Sequence, residues 1–134
     1  MTRDMLATRW AEIGSKVVAL AEEFPEQRFD MRPVDGTRTF ADQLRHVAFW
    51  NQYLRGTLRG QSPDGSPNAL PREAYASKAK VVQAVRESFD QVRSDIESNM
   101  ADGDQATVDT IVSYIGHNAE HYGQLAIYFR LNGM

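Results

Sequence analysis

The sequence predicts an all-α fold, a four-helix bundle, on three observations. Four stretches of about twenty residues carry apolar side chains at three- and four-residue steps, the period of a helix. No stretch alternates apolar and polar residues for long enough to make a strand. The breaks between the four stretches are rich in Pro, Gly and charge. Helices of this length bury their stripes against one another, and short links favour an antiparallel arrangement.

The first helix is expected from Asp4 to Phe24, with Leu6, Trp10, Ile13, Val17, Leu20 and Phe24 as its stripe and Pro25 as its stop. The connector EQRFDMRPVDGTR follows. The second helix starts at Thr39, a plausible N-cap with Asp42 three positions on, and ends near Gly60. Its stripe is Phe40, Leu44, Val47, Leu54 and Leu58, interrupted by Asn51. The segment QSPDGSPNALP, with its three prolines and a glycine, reads as a loop. It is the longest connection and leaves room for a crossing between the second and third helices. The third helix runs from Ser77 to Asn99 on Val81, Val85, Phe89, Val92 and Ile96. A turn is expected at Ala101–Asp104, and a fourth helix from Thr107 to Leu131, closed by Asn132-Gly133.

The 134 residues suit one domain, 1–134, and 42% of them are hydrophobic, an ordinary share for a packed core. A net charge of -3 lacks the basic surface of a nucleic-acid binder. Apolar runs are too short for a membrane span, and MTRDMLATRW has no signal-peptide stretch. Cytoplasmic residence is the expectation. There is no cysteine, so disulfides and thiolate metal sites are excluded.

The chemistry concentrates in the three histidines. His117 and His121 lie four residues apart in a strong helical pattern, so both imidazoles stack on one face. At that spacing a helix can present two nitrogen ligands to one metal ion. The same face carries Thr110, Ser113, Tyr114, Gln124 and Tyr128. The neighbouring apolar face is read as Val108, Ile111, Ile115, Ala119, Tyr122, Ala126 and Phe129. On the second helix, His46 lines up with Asp42, Gln43, Trp50, Tyr53 and Thr57. Two such lines facing each other would enclose a pocket, and three imidazoles would leave a coordination position open, as catalytic metal sites require. Glu120, between the two ligand positions of the fourth helix, is the candidate base; Asp42 is a candidate acceptor for the His46 ring. Gln124 is a candidate supporting group, and Trp50, Tyr53, Tyr114 and Tyr128 are candidate pocket walls. His117–His121 also fits the H-x-x-E-H pattern of inverted zinc peptidases, but thirteen residues after His121 leave no room for a distant third ligand.

The segments TFADQLRHVAFWNQYL and YIGHNAEHYGQLAIYFRLNG resemble the DinB/YfiT-like superfamily, whose members are read as metalloenzymes. The resemblance covers the whole chain in helix count and order. It implies a four-helix bundle, often a homodimer, binding nickel or zinc, or else manganese or iron. The ligands it implies are one histidine of the second helix and two of the fourth, here His46, His117 and His121. Relatives include thiol-dependent S-transferases and a thiol-dependent isomerase. The implied function is therefore a metal-dependent S-transferase or hydrolase acting on a small molecule, with a low-molecular-weight thiol as cosubstrate. The family often has Arg after the second histidine of the fourth helix; Tyr122 stands there, so no anion-binding role is expected at that position. The alternative expectations are a non-catalytic metal-binding or dimeric interaction bundle, and a bundle without metal. Wide apolar stripes on the first and third helices place a dimer contact there.

Overall fold

The computed structural model describes residues 1–99 and 104–134. It contains α1 (Arg3–Glu23), a short 3-10 turn (Glu26–Arg28), α2 (Phe40–Leu58), α3 (Lys78–Asn99) and α4 (Gln105–Leu131), and no strand among the described residues. The helix starts are set by side-chain caps. Thr39 accepts from the Asp42 N–H at 3.0 Å, as the sequence predicts, and Ser77 accepts from the Lys80 N–H at 3.2 Å. Two caps differ from expectation. Thr2 caps α1, accepting from the Met5 N–H, and Asp104 caps α4 by binding both the Thr107 N–H and hydroxyl, which lengthens that helix by a residue pair at its start. The turn expected at Ala101–Asp104 lies, apart from Asp104, outside the described residues.

α1 packs mainly on α3 and α4, and α2 on the same two, so α1 and α2 face each other across the diagonal. The ends show the chain directions. Phe24, just past α1, stacks on Phe40 at the start of α2 with centroids 3.9 Å apart, and meets Phe129 near the end of α4 at 5.1 Å. Lys78, the first residue of α3, donates to the Glu22 and Phe24 carbonyls at the end of α1. Thus α1 and α4 run one way, and α2 and α3 the other. The order is up-down-down-up, with the crossing that the long second connection left room for. Parallel neighbours α2 and α3 need a crossover, and residues 59–77 supply it by running back along the bundle. A buried Leu70 and the bond from the Leu70 N–H to the Arg45 carbonyl fasten that crossover to α2. Arg45, itself buried, donates to the Tyr75 carbonyl and to Asp42, while Arg72 pairs with Asp42 from the loop side.

All four helices share one core. The stripes of α1 and α3 are buried in it: Leu6, Trp10 and Val17 on one, Val81, Val85, Phe89, Val92 and Ile96 on the other. Those stripes are therefore not free for the dimer contact the sequence placed there; the large apolar side chains left exposed on a helix include Val112, Ile127 and Leu131 of α4. The α4 stripe also differs from expectation. Ala119 is exposed and Ile115, Tyr122 and Ala126 are half-buried, whereas Asn118, His121 and Leu125 are buried. Hydropathy misplaced the face because two polar residues, Asn118 and His121, occupy core positions. Asn118 donates to the Asn51 side chain, which donates to the Ser88 hydroxyl, so polar groups run from α4 through α2 to α3. No helix among the described residues is long and apolar enough to cross a membrane.

Candidate metal centre

The antiparallel pair α2 and α4 brings His46 opposite His117 and His121. One nitrogen of each ring lies within 4.8 Å of the others. His46 and His121 are buried and His117 half-buried. The outward nitrogens fix the tautomers of two rings. His46 Nδ1 lies 2.8 Å from the Asn68 carbonyl oxygen, which can only accept, so Nδ1 carries the proton. His121 Nδ1 lies 2.6 Å from Gln43 Oε1, and the Gln43 amide donates onward to Gln124 Oε1 at 2.8 Å. That chain leaves Gln43 Oε1 as acceptor, so His121 Nδ1 is protonated too. Both Nε2 lone pairs then face inward. This is how metal-binding histidines are held, with the far N–H donated to an oxygen.

The donor set fits a divalent ion. Two nitrogens bound at 2.0–2.1 Å with tetrahedral angles stand about 3.3 Å apart; His46 Nε2 and His117 Nε2 are 3.2 Å apart. Burial, first, and then the neighbouring imidazoles and Arg38 lower the pKa of His121 to about 3. Burial likewise lowers His46 and His117, with the Arg38 charge adding to it and, at His117, Glu120 opposing. All three rings are neutral at neutral pH, the form that coordinates metal. His117 Nδ1 is buried without a hydrogen-bond partner.

A cavity of about 390 Å³ opens beside His46 and His117, lined also by Trp50, Asn68, Ser113 and Tyr114. The Trp50 N–H donates to Asn68 Oδ1 at 2.8 Å, and the Tyr53 ring lies 4.8 Å from the indole. The other expected residues fall elsewhere. Asp42 does not touch His46, whose Nδ1 goes to Asn68 instead. Burial pushes the Asp42 carboxyl up, but hydrogen bonds from Arg72 and Thr39 and the charges of Arg72 and Arg45 outweigh it and hold the pKa low. Gln124 accepts from the Gln43 amide and also acts on His121 directly by a side-chain hydrogen bond that opposes the lowering of its pKa. Tyr128 is buried two turns beyond His121 and donates to the Arg38 carbonyl. Glu120 is exposed and acts on His117 by charge alone. Tyr122 turns toward α1, with the Lys16 ammonium 5.8 Å from its ring.

Sequence reasoning put Gln43 on the right line without giving it a task, and it missed Asn68. Asn68 sits in the left-handed region at φ 61, a conformation that Asn adopts more readily than most residues. The only signal was an Asn among the loop prolines; its partners could not be read from that.

A helical bundle with three converging imidazoles is the class these features define. The family model of the DinB superfamily matches residues 9–125, and the chain belongs to that superfamily. No curated protein matches the chain.

Proposed function

We propose that this protein is a divalent-metal-dependent enzyme that uses His46, His117 and His121 as ligands, of the thiol-dependent S-transferase or hydrolase kind, acting on a small molecule. The observation that carries the reading is the pair of inward Nε2 atoms fixed by Asn68 and Gln43, with His117 facing them and a cavity beside them. A bound nickel, zinc, manganese or iron ion would supply Lewis acidity, lowering the pKa of a water or thiol. The chain's own groups do the positioning. The Asn68 carbonyl and the Gln43–Gln124 pair hold two rings in one tautomer, and Trp50, backed by Tyr53, and Tyr114 wall the space where a substrate would lie. With no cysteine in the chain, a thiol has to arrive as cosubstrate. Glu120 tunes His117 from the surface. The exposed apolar side chains of α4 support homodimerisation through that helix.

The test is metal analysis of protein purified without added metal, followed by zinc or nickel titration of the stripped protein. One equivalent per chain is expected, and His117→Ala should lose it. Undiminished occupancy in His117→Ala would defeat the ligand assignment. Thiol-plus-electrophile turnover that survives removal of the metal would defeat the mechanism.

A further inference from the structure

We infer that the cavity beside the three imidazoles takes an uncharged aromatic or similarly flat apolar compound, seated against the Trp50 indole; as a statement about substrate, this rests on the proposed metal centre. The lining carries the argument. His46, Trp50, Asn68, Ser113, Tyr114 and His117 include no Asp, Glu, Lys or Arg, on a chain in which 25% of residues are charged. The groove between α1 and α3 shows the contrast, being bordered by Glu22, Glu26, Lys78 and Arg86. In the metal-free protein, a charged group entering the cavity beside His46 would find no counter-charge in its walls. The volume falls within the range of small-molecule pockets.

The indole is held in place before any ligand arrives. Its N–H is bonded to Asn68 Oδ1 at 2.8 Å, and its ring packs edge-on to Phe49 at 5.2 Å and against Tyr53 at 4.8 Å. Gly65 of the crossover lies so close that an added Cβ would stand 3.0 Å from the ring. A side chain at this position would require the indole to give by a few tenths of an ångström. An aromatic wall with its rotamer already fixed binds a flat partner with little further loss of entropy. Ser113 and Tyr114 add hydroxyls to the lining, which suit a ligand bearing a neutral polar substituent.

The experiment uses 2-naphthol and 2-naphthalenesulfonate, one ring system without and with a charge, on the metal-free protein. The two tryptophan indole N–H signals in a nitrogen–proton correlation spectrum report separately. Trp10 donates to the Phe89 carbonyl from full burial and serves as the internal control. Naphthol should shift the Trp50 signal saturably and leave Trp10 in place, with the sulfonate about tenfold weaker or worse. By calorimetric titration with naphthol, Trp50→Phe should retain most of the affinity and Trp50→Gln lose it, with the Trp10 signal certifying the fold of each. Equal binding of the sulfonate, a silent Trp50 signal, or undiminished naphthol binding by Trp50→Gln overturns the inference. Zinc titration is run in parallel. Zinc uptake without naphthol binding removes this inference and leaves the metal centre standing. Naphthol binding without zinc uptake removes the metal centre and, with it, the assignment of the aromatic compound as substrate.

Discussion

Asn68 carries two tasks on one residue. Its carbonyl sets the tautomer of His46 and its side chain anchors Trp50, while its backbone sits at φ 61. These tasks can be separated. Asn68→Gly keeps the left-handed conformation and the carbonyl but drops the indole anchor. Zinc affinity should stay within a few-fold of the parent, while the Trp50 signal broadens or moves. Asn68→Ala adds left-handed strain of about 1 kcal/mol and should lower the denaturation midpoint further than the glycine variant does. Equal stability in both variants would show that position 68 does not hold the left-handed conformation. None of this was legible beforehand. Asn, Gly and Pro in a run mark a turn, but a turn residue's partners lie on another element. His117 and His121 were legible because their four-residue spacing is a local property. The role of Gln43 was not, because an amide takes its meaning from what faces it.

At the scale of elements, helix propensity and packing compete, and glycine separates them. In α1, Gly14 is buried against Phe89, and a Cβ would come within 2.9 Å of that ring. Phe89 is itself wedged against Trp10, with centroids 5.3 Å apart, so it cannot move aside freely. Gly14→Ala gains about 1 kcal/mol of helix propensity and loses about 1–3 kcal/mol to overpacking; net destabilisation is expected. In α4, Gly116 and Gly123 are exposed with nothing near an added Cβ. Gly116→Ala and Gly123→Ala should each stabilise by about 0.5–1 kcal/mol. Urea melts check the opposite signs, and a stabilised Gly14→Ala would contradict the close α1–α3 packing. Element boundaries were largely readable from Thr39 and Pro25. The buried face of α4 was not, because Asn118 and His121 occupy core positions where hydropathy expects apolar residues.

For the molecule as a whole, the centre works against the stability of the metal-free protein. Three neutral imidazoles, two buried and one half-buried, crowd their nitrogens around one point, with His46 Nε2 3.2 Å from His117 Nε2; such a group of buried polar atoms costs stability until something binds it. Metal should therefore stabilise strongly. Zinc at a hundred times its Kd contributes about 2.7 kcal/mol, roughly a 10 °C rise in Tm for a chain of this size. His121→Leu should raise the Tm of the metal-free protein and abolish the zinc-dependent rise. Calorimetry with and without zinc reads both, and an unchanged zinc response in His121→Leu would remove that histidine from the ligand set.

The sequence alone determined four helices, most of their ends and the pairing of His117 with His121 on one face, since periodicity, capping and spacing act within a few residues. Tertiary structure alone decided the up-down-down-up order, the crossover that covers α2, and the meeting of His46 with the α4 pair. Those depend on which stripes bury each other best across the whole chain, and no local pattern encodes that choice.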